Sequence, residues 1–197
     1  LSKKEKLFLN KYKPWGVILF SRNLKKFKQI QKLITDIKSI FKDNKYPILI
    51  DQEGGKINRL NKLIDTSILT AEFYGNLYKR DKKKFSNYYR VYINQISYLL
   101  NELGININTV PVLDVRRSKS NNIIGERSYS YIPEDVSKIG NFCIQEFSKR
   151  RIGTVIKHIP GHGLAKVDSH HFTPVINKKL DYLLKNDFFP FKRKNSF

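Results

Sequence analysis

The feature that most constrains this chain is a recurring alternation of short apolar runs with longer amphipathic stretches. Gly16-Val17-Ile18-Leu19-Phe20 and Tyr46-Pro47-Ile48-Leu49-Ile50 are brief and β-rich, as strands buried on both faces should be. Between them Leu24, Phe27, Ile30, Leu33, Ile34, Ile37 and Phe41 recur at three- and four-residue spacing, which predicts a helix with Asn23 as its N-cap. A loop is expected over 52–72. Phe85, Tyr88, Tyr92, Ile96, Leu99 and Leu103 then mark a long helix stopped by Gly104. A strand over 105–113 ends in Asp114, and a polar loop runs over 116–131. Pro133 opens the next helix, with a stop at Gly153. A fourth strand starts at Thr154, and a further helix is expected over 178–193. Strands alternating with helices specify an α/β fold built on a parallel sheet.

Several classes are excluded or weakened by the same reading. No apolar stretch reaches the eighteen or so residues of a membrane helix, and no signal-peptide pattern opens the chain. Cys143 has no second cysteine to pair with or to share a metal. A reduced, cytoplasmic setting is the expectation. The formal charge of +21 invites a polyanion partner. Its basic residues are spread along the chain, however, and the lysine, asparagine and isoleucine richness follows equally from A- and T-rich coding, so no specific nucleic acid is expected. The absence of methionine, the opening at Leu1 and the end at Phe197 within a basic, helix-like stretch suggest a piece of a longer protein.

Polar residues cluster just after each strand, at the ends where both closed (β/α)8 barrels and open doubly wound sheets carry their chemistry. The periodicity fits either architecture, and four visible strands are too few for a full barrel. All 4 histidines, His158, His162, His170 and His171, fall within one short segment around Pro160, Gly161 and Gly163. Imidazoles so concentrated serve acid–base chemistry, substrate binding or a metal; partner cysteines and helical zinc spacing are lacking. Asp168 lies two positions from His170, where a carboxylate can fix the ring tautomer or simply hold a turn. Asp51-Gln52-Glu53-Gly54-Gly55 offers two carboxylates and two permissive glycines at a strand end. Only Asp51 is expected to face the site, because side-chain alternation stops with the strand. Arg127 is either a bidentate clamp or a surface arginine.

Taken in order, DQEGGKINR (51–59), PVLDV (111–115), IGERSY (124–129), KHIPGHG (157–163) and DSH (168–170), preceded by GVILFSRN (16–23), resemble the bacterial β-N-acetylglucosaminidases of glycoside hydrolase family three. One such motif is weak, but this many in order across nearly the whole chain are specific. The resemblance implies a TIM barrel, here partial, lacking the first strand and the C-terminal strands, with 1–197 forming one truncated catalytic domain. It implies removal of terminal non-reducing N-acetylglucosamine from peptidoglycan turnover products, including muropeptides, without cofactor or metal. By motif position Asp51, Arg59, Arg127, Lys157 and His158 hold the sugar, and His170, oriented by Asp168, is the general acid/base. This departs from the paired carboxylates of most glycosidases.

The family's nucleophile is an aspartate on a later strand. After His171 the chain offers only Asp181 and Asp187, neither at an expected strand end, so the 197 residues alone are expected to be inactive. Three other readings remain: a non-catalytic sugar- or muropeptide-binding module, a phosphorylase of the same fold, and a basic nucleic-acid-binding protein.

Overall fold

A computed structural model describes residues 1–117, 124–167 and 171–192. The first helix, α1 (Lys3–Tyr12), opens with a capping box in which Ser2 and Glu5 satisfy each other's backbone N–H groups. Strand β1 (Val17–Leu19) follows, then a single 3-10 turn at Ser21–Asn23 and helix α2 (Phe27–Phe41). Asn23 is not the N-cap of α2. Its Oδ1 accepts the Phe20 N–H at 3.0 Å and closes the turn, so the helix starts three residues later, behind Lys26.

Strand β2 (Ile48–Ile50) leads into a small antiparallel hairpin, β3 (Gln52–Gly54) and β4 (Ile57–Asn58). The hairpin replaces the loop expected after residue 51. Helices α3 (Ala71–Arg80) and α4 (Lys82–Leu103) come next. The Asp81 carboxylate caps α4 by accepting the N–H groups of Lys83 and Lys84. Gly104 ends it in the left-handed conformation, φ 84°. Strand β5 (Ile107–Asn108), helix α5 (Pro133–Ser148), strand β6 (Gly153–Thr154) and helix α6 (Leu180–Lys185) complete the described elements. Helix α5 begins at Pro133 as expected but ends before Gly153, and the expected last helix is only the short α6 with a 3-10 turn at Phe189–Phe191.

The strand expected over 105–113 pairs regularly at only two residues. Pro111 has no N–H to give to a ladder. Thr109 still donates to Ile50 O at 2.8 Å, and beyond the proline Leu113 donates to Lys157 O at 2.7 Å. The segment thus leaves β2 and joins the stretch after β6, where Val112 and Lys157 form a parallel bridge.

The main sheet has order β1-β2-β5-β6 and every pair is parallel. Among the described residues spatial order follows chain order without reversal, so these strands have no point at which helices switch faces, as a doubly wound sheet has. Helix α4 packs against both α2 and α5, forming one outer helical layer. This is the geometry of a barrel sector. Ile48 and Ile50 of β2, Ile30 of α2 and Ile93, Ile96 and Leu100 of α4 are fully buried between sheet and helices. Among the described residues no helix is long and apolar enough to cross a membrane.

Candidate functional site

Three successive strands end in polar side chains that converge. Asp51 follows β2, Thr109 follows β5 and Lys157 stands three residues beyond β6. Lys157 Nζ lies 2.8 Å from Asp51 Oδ1, 3.0 Å from Thr109 Oγ1 and 2.6 Å from Glu53 Oε1. The Thr109 hydroxyl also donates to Asp51. Arg59, after β4, stands 3.6 Å from the other Asp51 oxygen.

Glu53 corrects the sequence reading, in which only Asp51 faced the site. The β3–β4 hairpin turns the chain back, and Glu53 points to the same place. Its two oxygens accept Nε and a terminal nitrogen of Arg127 at 2.8 and 2.9 Å. Arg127 is therefore a bidentate clamp on a buried carboxylate, placed by the 3-10 turn Gly125–Arg127. The hairpin is held in turn by buried amides. Asn108 accepts the Gln52 N–H and donates to its carbonyl, at 2.9 and 3.0 Å. Gln52 accepts the Leu60 N–H and donates to Thr66 Oγ1.

Asp114, fully buried, organises the histidine segment. His158 Nδ1 donates to one of its oxygens at 2.6 Å and the His162 backbone N–H to the other at 2.6 Å. With Nδ1 as donor, His158 Nε2 is left to accept, and an Arg127 terminal nitrogen sits 3.4 Å away. In the sequence Asp114 marks only a strand end. The signal for its role was there, a carboxylate closing an apolar strand, but its partner lies 44 residues on. Asp168 and His170 lie outside the described residues.

Asp51, Arg59, Arg127, Lys157 and His158 thus meet at one end of the sheet, joined by Glu53, Thr109 and Asp114. Burial pushes the Asp51 carboxyl up, but the hydrogen bond and charge of Lys157, with Thr109 and Arg59, outweigh it and hold it below the usual carboxylate value. Burial works against the Arg127 cation, yet Glu53, with Asp114 and Asp51, raises its pKa further. Both groups are locked in their charged forms.

Three carboxylates face three cations, so the site has little net charge and many fixed donors and acceptors. That suits a neutral polyhydroxylated ligand, whose hydroxyls can exchange for the mutual hydrogen bonds. It does not suit a polyanion, because Lys157 and Arg127 are already neutralised. Among the described residues no group of three or more His, Cys, Asp or Glu is arranged to hold a metal. Cys143 is fully buried and its thiol is pushed up to about 12 by that burial, which leaves no thiolate nucleophile at neutral pH.

Residues 1–194 match the sequence profile described as the glycosyl hydrolase family 3 N terminal domain. A beta-hexosaminidase A from Pseudoalteromonas piscicida is 33% identical over 187 residues, covering 93% of this chain and 31% of its own. The crystal structure of NagZ from Neisseria gonorrhoeae in complex with N-trifluoroacetyl-D-glucosamine superposes with a TM-score of 0.87 at 27% identity, covering 97% of this chain and 56% of that one. A glycoside hydrolase family 3 beta-N-acetylglucosaminidase from Paenibacillus sp. str. FPU-7 gives 0.85 at 28% identity, covering 98% and 36%. The chain therefore spans roughly a third to a little over half of these relatives' lengths. The sheet and its outer helices are a partial (β/α) barrel of the same type.

Proposed function

Since the chain belongs to glycosyl hydrolase family 3, corresponding to its N-terminal domain, we propose that it holds the terminal N-acetylglucosamine of a substrate undergoing retaining hydrolysis. The observation that carries this reading is the charge-balanced cluster of Asp51, Glu53, Arg127 and Lys157. A sugar hydroxyl is both donor and acceptor. It can insert between Lys157 and a carboxylate, donating to Asp51 or Glu53 and accepting from the ammonium. The glucosamine analogue bound by the gonococcal NagZ supports the sugar class. Peptidoglycan turnover products in the cytoplasm are the proposed source, and 1–197 is proposed to be one domain.

His170, paired with Asp168, acts as general acid and then base. In the first step the glycosidic C–O bond breaks, a carboxylate oxygen bonds to the anomeric carbon, and the His170 proton passes to the leaving oxygen. In the second, water attacks the anomeric carbon, releases the carboxylate and gives its proton to His170. The carboxylate is not Asp181, which lies in the first turn of α6, nor Asp187, which is buried against Arg117 at 3.2 Å. It belongs to the relatives' length beyond the matched region. These 197 residues alone bind sugar without turning it over.

His170→Ala in the full-length protein tests the assignment with 4-nitrophenyl N-acetyl-β-glucosaminide. A fall in kcat of about 10²–10⁴ with KM changed far less is expected of a proton-transfer group. Unchanged kcat rejects His170.

A further inference from the structure

We infer that Tyr92, on the inner face of α4, is a positioning residue for the Glu53 arm of the site. The inference rests on the sugar-holding reading above. The Tyr92 hydroxyl donates to the Glu53 carbonyl at 3.1 Å. It reaches up from the helical layer into the peptide that joins Glu53 to Gly54, and so fixes the plane of that peptide. Gly54 sits there at φ 94°, a conformation that side chains rarely adopt. A Cβ at this position would stand 3.2 Å from the same hydroxyl and would overlap the Leu69 carbonyl on the other side. The hairpin is therefore gripped between Tyr92 and the loop before α3, at the residue next to the carboxylate that meets Arg127 and Lys157.

Tyr92 is itself fixed by its neighbours. Its ring stacks near Tyr89 at 6.1 Å and tilts against Tyr74 at 5.6 Å. The Tyr89 and Tyr129 hydroxyls are hydrogen-bonded at 2.7 Å, and Tyr129 stands two residues beyond Arg127. One aromatic raft under the sheet end thus supports both halves of the Glu53–Arg127 clamp. Burial raises the Tyr92 phenol far above its ordinary pKa, so it is a neutral donor at neutral pH. Packing alone requires only the ring at this position. The hydroxyl adds a direction to the Glu53 carbonyl, and through it to the carboxylate.

The test removes the hydroxyl and keeps the ring. Tyr92→Phe is expected to weaken N-acetylglucosamine binding, measured by calorimetry, about fivefold. It is also expected to shift the Gly54 amide nitrogen and the Lys157 side-chain resonances in NMR spectra. Tyr46→Phe, which loses a buried tyrosine's hydroxyl bond to a backbone carbonyl at the opposite end of the sheet, serves as the control and is expected to leave affinity within twofold. Unmoved Gly54 and Lys157 signals, unchanged affinity, or an equal loss in Tyr46→Phe would overturn the inference. If the unaltered protein binds no sugar while Tyr92→Phe still moves the Gly54 and Lys157 signals, the sugar reading falls and the positioning role stands. If Tyr92→Phe folds poorly, a deuterium isotope shift at the Glu53 carbonyl carbon of the unaltered protein reads the same hydrogen bond. Its absence is then decisive against the inference.

Discussion

The two ends of the parallel sheet use polar side chains in opposite ways. At the end where strands begin, side chains bond to backbone. Asn106 accepts the Ile48 N–H at 2.8 Å and donates to the carbonyls of Lys45 and Tyr46. Tyr46 Oη donates to Pro14 O at 2.6 Å, and Lys38 Nζ to Gly104 O at 2.9 Å. These bonds tie loop peptides to the fold itself, and a ligand that replaced them would loosen the loops. At the end where strands finish, the charged side chains bond chiefly to one another. Asp51, Glu53, Thr109, Arg127 and Lys157 satisfy one another, and a ligand with hydroxyl groups can take over those bonds one by one. The difference separates closure from recognition within a single sheet, on the pattern of bonding rather than on residue type.

The sharpest way to break this division is Asp114→Ala. It leaves His158 Nδ1 and the His162 N–H without their buried acceptor, and should cost about 3 kcal/mol. Thermal scans should show a melting point lower by about 6–12 °C. Calorimetry should show N-acetylglucosamine affinity down by at least about tenfold, because the histidine segment beside Arg127 loses its anchor.

Asn106→Ala is the matched probe at the other end. Losing its bonds to backbone should lower stability by about 2–3 kcal/mol, read from urea midpoints, while sugar affinity stays within twofold. Should Asn106→Ala weaken sugar binding as much as Asp114→Ala does, the proposed division between the two ends fails.

The smallest effect is a pH dependence confined to one end. The folded-state Asp51 carboxyl lies below its unfolded value. Its stabilising contribution is therefore complete above about pH 3.9 and is lost as pH falls through the depressed folded value. The stability gap between the unaltered protein and Asp51→Asn should narrow below about pH 4. The Asn106→Ala gap, which involves no titrating group, should hold constant over the same range. Urea titrations from pH 3 to 6 check both.

Much of the frame is legible in the residues. The apolar spacing of α2 and α4, the Gly104 stop and the Pro133 start all act within one or two helical turns, so local chemistry expresses them directly. Where the expectation differs from the structure, a competing partner intervenes, three residues away for Asn23 and across the chain for the segment after Pro111. Asn23 was taken from α2 by the Phe20 N–H, and Pro111 broke the β5 ladder so that the chain paired onward with the Lys157 segment. Glu53 was missed for the same kind of reason. Strand β2 ends at Ile50, so alternation no longer places Glu53 beside Asp51, and only the β3–β4 hairpin, clasped by Gln52 and Asn108, brings it back.

What the sequence determined by itself is the alternating α/β frame and the ordered motifs that mark the family. Both are written in spacings that hold whether or not the chain is folded. What only the tertiary structure decided is which charges meet. Arg127 finds Glu53 across 74 positions, Lys157 finds Asp51 across 106, and Tyr92 finds the Glu53 carbonyl across 39. Contacts of that reach have no local period to announce them. They are set by how the helical layer packs on the sheet, and that packing sums many small apolar contacts rather than following from any one of them.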